Sequence, residues 1–497
     1  MKKLINFRLP VFIAVFFIAG IISERYYPLL RYFTPLVPLA AAFLWLAFGG
    51  FLHSGLTFER RLLFTLVFFS AAMLGTVRMR HYALSVKNAQ LPSDNYTVVG
   101  TVDTVSVKQE GVSVVLKDCV YGETAGGNLK IEELLTPVEK NDRIKVVCYA
   151  FSADAHDERK YDGYVVSGVS MRALRVYDAE NLGKATDLFT KIKSRIQSVL
   201  TDNPNEVSGI AVALFTGDTS LIPDESLTGF RLAGIAHVFA VSGMHVGLLC
   251  FALASLPFWK KRGTLLKWLL VSVVLFGYSG VCGFGASSLR AAIICSAALF
   301  GGAIGEKNDR LNFLAIACLV ILLIDPADLF ETGFILSFTV SLSLMILAPA
   351  ISRRLGFLPD FLRTLVAATL ASQLASIPLL VSFFGYFPVL SILANVLMIP
   401  VITLAFYLLW AAVIICLILP VDRLIALYIP YIILNGTNAA ANFFATFGVF
   451  MTKFPTALCY VYYPTLAGCS DAVNFSRKMK TAMLIVVAVC LSVAAFL

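Results

Sequence analysis

Apolar residues dominate this chain in long runs, and the polar residues collect in the breaks between them. A run of about 18 residues or more is enough to span ~30 Å of hydrocarbon as a helix. The first runs predict helices at about 9–23, 35–52 and 61–77. Lys2, Lys3 and Arg8 precede the first one, as in a signal peptide. No small-residue cleavage site follows, and two more apolar runs do, so it reads as an anchor. Between 90 and 186 the period changes to two. YTVVGTVDTVSV, VSVVLKDCVY and RIKVVCYAF alternate inward and outward positions, are rich in valine and are broken by glycine and asparagine. Such segments predict strands, about five of them, in a small β-domain. Over 187–204, Leu188, Ile192, Ile196 and Val199 share one helical face while Lys191, Lys193 and Arg195 fall mainly elsewhere. That is the pattern of an amphipathic helix lying in the membrane interface.

Within 205–475, apolar segments recur near 232–256, 265–281, 287–304, 310–324, 330–348, 363–384, 390–418, 425–450 and 456–470, and a last one follows near 480–497. The ninth is interrupted by Tyr462, Tyr463 and Pro464. The expected fold is a polytopic α-helical membrane protein with an inserted β-domain. Its parts are N-terminal helices (1–89), β-domain (90–186), interfacial helix (187–204), multi-helix core (205–475) and last helix (476–497).

Composition excludes an ordinary soluble protein: 58% of the 497 residues are hydrophobic and the mean hydropathy is +0.81. The net charge of +9 is no sign of nucleic-acid binding by itself, because its distribution follows the membrane. With a cytoplasmic N-terminus and three crossings, the β-domain lies outside. The inside loops then hold Lys260, Lys261, Arg262 and Lys267; Lys307 and Arg310; Arg353, Arg354 and Arg363; Arg423; and Arg477, Lys478 and Lys480. The outside loops hold Asp325, Asp328 and Glu331, or almost no charge apart from Lys453. This alternation obeys the positive-inside rule. Residues 91–187 carry sixteen acidic against eleven basic side chains, a poor electrostatic trap for single-stranded DNA, which favours a positive groove. The ten cysteines form no C-x-x-C pair. Cys119 and Cys148, each on an expected strand in an oxidising space, are candidates for a disulfide that would close about thirty residues and add ~3 kcal/mol. Two buried thiols are the alternative.

The stretch 231–249, RLAGIAHVFAVSGMHVGLL, carries the chemistry. A charged side chain at the centre of a spanning helix costs about 2.5–3.5 kcal/mol, so polar groups there face a partner or a hydrated path. His237, Val241 and His245 are spaced i, i+4, i+8, which sets both imidazoles on one face of a continuous helix. Gly243 permits a break or a close approach. Two readings stand: a polar path, or histidines bonded to nearby carbonyls in a packed bundle. No G-x-x-x-x-G-K-[ST] and no H-E-x-x-H occurs, so neither an ATP motor, a cofactor, a metal site nor an enzyme is expected. A metal site from His237, His245 and Asp218, and a Ser242 nucleophile with His245 as base, are the weaker alternatives. Gly277, Gly280, Gly283 and Gly285 suit a re-entrant turn or close helix packing.

A longer pattern surrounds these residues. Gly217-Asp218, Phe230-Arg231, Gly234, His237 and Val241-Ser242-Gly243-Met244-His245-Val246 are followed by Ser288-Leu289-Arg290-Ala291, Asp325-Pro326, Gly333-Phe334 and Ser337-Phe338, then Gln373, Pro378, Phe384-Gly385, Ala394-Asn395 and Pro400. This order resembles the ComEC-type DNA-internalisation family of competence proteins, from roughly Ser208 to Thr403. The resemblance implies an OB-like β-domain and a membrane channel for single-stranded DNA, fed by an extracytoplasmic receptor and drawn by a cytoplasmic ATPase or ssDNA-binding protein. It makes Arg231, His237, Ser242, His245, Arg290, Gln373 and Asn395 pathway candidates, and Gly217, Asp218, Gly234 and Gly243 structural. Two departures stand out. Ile335 replaces a frequent glutamine, and the H-x-H-x-D-H run of the metallo-β-lactamase-like domain found in many relatives is missing, so a short form without that nuclease-like domain is expected. A transporter for another anionic polymer or solute, and an intramembrane hydrolase, are the competing functions.

Overall fold

The computed structural model describes all residues except 1–8, 27–57, 109–110, 135, 137, 139–141, 154–167, 185–187, 203–205, 240, 242, 262, 306–308, 389, 420, 452, 471–474 and 497. The expected second helix, 35–52, lies outside the described residues. Helix α1 (Leu9–Tyr26) packs against α2 (Phe58–Asn88). Their crossing is glycine-made: a Cβ on Gly20 would fall 2.0 Å from the Ala72 carbonyl oxygen, and one on Gly75 2.2 Å from that of Phe17. Without a hydrophobic force between helices in lipid, such small-residue contact is what holds a pair. Helix α2 runs beyond the expected 61–77, and its extension places Arg78 where Nε donates to the Leu323 carbonyl at 2.7 Å and Nη2 to that of Ile324. A cation there satisfies the last carbonyls of a neighbouring helix.

The strands β1 (Asp94–Lys108), β2 (Gly111–Tyr121), β3 (Asn128–Leu134), β4 (Asp142–Ser152) and β5 (Val169–Lys184) close a barrel in the order β1-β2-β3-β5-β4-β1. All neighbours are antiparallel except β3 and β5, which are parallel, and the two-residue strand Thr124–Ala125 hangs on β2. This is the OB-like topology. Its alternation is strict along β4, where Ile144, Val146, Cys148 and Ala150 are buried and Arg143 and Lys145 face out. Cys119 and Cys148 point into this apolar interior as free thiols, so the bridge considered above is not formed. Cys119 Sγ lies against Gly100 of β1, whereas Cys148 pairs with Tyr96, four residues away along that strand. Burial pushes the Cys119 thiol up to about 12 and the Cys148 thiol up to about 11.

The core begins with α3 (Leu188–Leu200), whose C-terminal Ile196, Val199 and Leu200 are buried while Leu188 and Ile192 stay exposed. It continues through α4 (Glu206–Thr216), α5 (Asp224–Leu232), α6 (Gly243–Ala254), α7 (Thr264–Val281), α8 (Ala286–Ala303), α9 (Arg310–Ile324), α10 (Thr332–Ile346), α11 (Ala348–Arg354), α12 (Asp360–Phe384), α13 (Ser391–Ile418), α14 (Arg423–Ala445), α15 (Thr456–Gly468) and α16 (Arg477–Phe496). A two-strand contact, β6 (Phe387–Pro388) with β7 (Val449–Met451), ties two loops. Five described helices (α7, α8, α12, α13 and α14) are long and apolar enough to cross a membrane, and the α10–α11 pair, bent by 42°, makes a sixth. The protein is thus a polytopic helical membrane protein with an OB-like domain inserted after its N-terminal helices. Gly283 (φ +80°) turns α7 into α8, and Gly280 takes the Phe189 ring of α3, where a Cβ would be 2.5 Å from it.

Candidate functional site

The expected continuous segment 232–256 is broken. Helix α5 stops at a left-handed Gly234 (φ +76°), where Gly234 N–H donates to the Arg231 carbonyl (3.0 Å) and Ile235 N–H to that of Phe230 (3.0 Å). These two bonds, with Phe230 and Ile235 both buried, make a Schellman stop. A short 3₁₀ turn, Ala236–Val238, follows before α6 starts at Gly243. The two histidines therefore do not share one helical face. Irregular backbone of this kind is stable in a membrane protein only where protein or a cavity surrounds it. Three contacts hold the break. Asn395 Nδ2 of α13 donates to the Gly234 carbonyl at 3.2 Å and to its own Ser391 carbonyl at 2.6 Å. A Cβ on Gly234 would stand 2.5 Å from Ser391 Cβ, and one on Gly217 (φ +81°) 3.2 Å from Val241 Cγ2. Asn395 is thus a positioning residue, committed to backbone.

Asp218 follows Gly217 in the turn between α4 and α5, outside the spanning helices. Its carboxylate accepts from Lys193 Nζ of α3 at 2.6 Å, from Gln197 Nε2 at 3.3 Å and from Ser220 Oγ at 2.7 Å. Burial alone would raise its pKa, but the Lys193 hydrogen bond and charge and the Ser220 bonds outweigh that and hold it at about 2. This pair pins α3 to the turn between α4 and α5. Asp325 likewise caps a turn, accepting from Ala327 N–H at 2.9 Å. Beside it, burial, then the charges of Asp325 and Glu331, push Asp328 up to about 7.

The pathway candidates separate by exposure. Arg231, at the end of α5 near Tyr386, is exposed; His237 keeps uncovered surface although protein encloses it deeply, and its ring bonds the Gly234 carbonyl. His245 is fully buried, edge-on to Phe406 with ring centroids 4.7 Å apart. Gln373 and Asn395 are buried. Ser242 lies outside the described residues. Arg290, on α8, is 5% exposed and has its guanidinium over the Phe338 ring at 5.5 Å. A Cβ on Gly243 would meet Arg290 Nη2 at 2.9 Å, so the guanidinium lies against the first residue of α6. Among the described residues Arg290 has neither a hydrogen bond nor an ion pair, and Ser337 Oγ, Gln373 Oε1 and Ser391 Oγ are also buried without partners. No group of three or more His, Cys, Asp or Glu side chains among the described residues is placed to hold a metal ion.

These polar atoms fall on one segment of known kind: the family model for competence proteins matches residues 214–470, slightly more than half of the chain. The chain belongs to the competence protein family. ComE operon protein 3 of Bacillus subtilis (strain 168) is 33% identical to it over 204 residues, 40% of this chain and 25% of that protein. The match therefore spans about a quarter of that relative's length. No solved structure matches. The competence segment contains each pathway candidate, whereas the barrel precedes it. Sequence reasoning quoted Ser337 and Phe338 without giving either a role; the Phe338 ring under Arg290 is their meaning here. It also missed Asn442 of α14, whose Oδ1 sits where a Gly229 side chain would be, 2.0 Å from the added Cβ. A polar residue within the apolar α14 was the available signal.

Proposed function

We propose that this protein is a cytoplasmic-membrane channel through which single-stranded DNA enters during natural transformation, with the N-terminus cytoplasmic and the barrel outside. Membership of the competence family supports this. The observation that carries it is a core in which several buried polar atoms, Arg290 Nη1 above all, lack partners among the described residues. A phosphodiester strand crosses hydrocarbon only along polar or hydrated surface. Arg231 is exposed at the start of such a route, and His237 follows just beyond the break at Gly234. The sequence carries no G-x-x-x-x-G-K-[ST] motif, so in this reading the pull comes from a partner, a cytoplasmic ATPase or ssDNA-binding protein, and an extracytoplasmic receptor delivers the strand. The barrel's surplus of acids fits a structural or docking part better than a DNA trap.

Uptake of fluorescent DNA by cells with and without the gene tests the reading. Surface binding should persist in the deletion strain while nuclease-protected internal DNA disappears. Equal internal DNA in both strains rejects a DNA channel and leaves another anionic cargo.

A further inference from the structure

We propose that Arg290 and the N-terminal end of α6 at Gly243 form a binding site for a single phosphate group, which in transit is a phosphodiester of the DNA strand. This deepens the channel reading above and rests on it for the identity of the cargo. The argument starts from a missing partner. Arg290 is 5% exposed, yet its buried Nη1 has no acceptor and no carboxylate is within ion-pair distance among the described residues. An isolated buried charge is costly, and native structures normally pair it. The Phe338 ring at 5.5 Å attracts the face of the guanidinium, but a ring face does not accept the in-plane N–H bonds at its edge.

What lies at that edge is Gly243. The guanidinium approaches the first residue of a twelve-residue helix so closely that a Cβ there would be 2.9 Å from Nη2. A helix N-terminus carries partial positive charge. Placing a second, unpaired cation against it is unfavourable unless an anion joins both, which is how helix N-termini hold phosphates. Gly243 itself is only partly buried, so this end of the helix is not sealed by side chains. The planar fork of arginine presents two parallel N–H groups to two oxygens, the geometry of a phosphate. Such a site holds the backbone of a strand and ignores its bases.

The test uses the full-length protein in an uncharged detergent and reads its thermal midpoint at constant ionic strength. The probes are inorganic phosphate, an oligothymidylate, the uncharged methylphosphonate analogue of that oligomer, and micelles containing phosphatidylglycerol. Phosphate and oligothymidylate should raise the midpoint and the methylphosphonate should not. Arg290→Met should weaken the phosphate effect by about ten- to a hundredfold, and Arg290→Lys by about tenfold. Gly243→Ala, which keeps the charge but fills the recess, should also weaken it. Wild-type phosphate affinity in Arg290→Met or in Gly243→Ala overturns the site, as does a wild-type protein that responds to none of the anionic probes. If Arg290→Met fails to fold, Gly243→Ala decides. A response to phosphatidylglycerol alone assigns the recess to lipid and overturns the strand contact. Loss of DNA entry on gene deletion, with phosphate affinity indifferent to Arg290, keeps the channel and removes the site. Arg290-dependent phosphate binding with unaltered DNA entry does the reverse.

Discussion

Two arginines stand over two phenylalanine rings at the same distance, in two parts of the molecule. In the barrel, Arg172 lies 5.5 Å from the Phe151 ring and its Nη2 reaches Glu132 at 2.9 Å. In the membrane core, Arg290 lies 5.5 Å from the Phe338 ring and reaches no carboxylate among the described residues. The barrel also satisfies the carboxylate of Asp142 through Asn181 at 2.9 Å, and its interior is apolar. The barrel thus gives its ring-stacked arginine a carboxylate partner, although Arg172 Nε itself is buried without an acceptor. The core leaves its arginine without a partner among the described residues, which is the contrast on which the proposed phosphate site rests.

The largest effect expected from breaking this contrast is at Gly234. A side chain there faces a left-handed backbone and a 2.5 Å contact with Ser391. Gly234→Val should cost roughly 2–5 kcal/mol, the sum of the left-handed strain and the overpacking. The core should lose abundance and protease resistance while the separately closed barrel keeps its β-sheet circular dichroism. A Gly234→Val protein of normal abundance and thermal midpoint would show that the break does not depend on this glycine.

Next comes the arginine pair itself. Arg290→Met removes an unpaired buried cation, so the thermal midpoint without ligand should be unchanged or higher, corresponding to up to about 3 kcal/mol. Arg172→Met removes a half-exposed ion pair and should lower barrel stability by about 0.5–1 kcal/mol. If Arg290→Met is the more damaging of the two to folding, Arg290 is a structural residue and the contrast fails.

The smallest effect belongs to Asp218, a charge that the core does pair. Its folded pKa, about 2, is below the unfolded carboxylate value of 3.8. Its contribution is therefore complete above pH ~4 and is lost as pH falls from there through about 2, amounting to about 2 kcal/mol. Asp218→Asn should flatten that acid limb in a pH series of thermal midpoints and leave the neutral-to-alkaline limb parallel to wild type. An unchanged acid limb would show that Lys193 gives no net stabilisation there.

Much of the architecture was legible along the chain. Hydropathy placed α7 to α10 and α12 to α14 within a few residues, because the bilayer demands runs of a set length whatever their neighbours. Period two marked the β-domain for an equally local reason. The amphipathic α3 was readable, though its apolar stripe is shared between protein at the C-terminal half and an exposed N-terminal half. The family order of motifs pointed to Arg231, Gly234, Gly243, Arg290 and Asn395 before any geometry was known.

Other features depend on which distant segments meet. The break between α5 and α6 hides inside an apolar run, and it is the Gly234 stop, held by Asn395 from 161 residues away, that separates His237 from His245. The barrel closes only when β1 finds β4 and β3 runs parallel to β5. Whether Cys119 and Cys148 could bond was decided by their offset along β1. Hydrophobic length and alternation are properties of consecutive residues, so the sequence alone sufficed for them. The pairing of a charge is a property of what surrounds it in space. That Arg172 has a carboxylate and Arg290 has none among the described residues could be decided only by the tertiary structure.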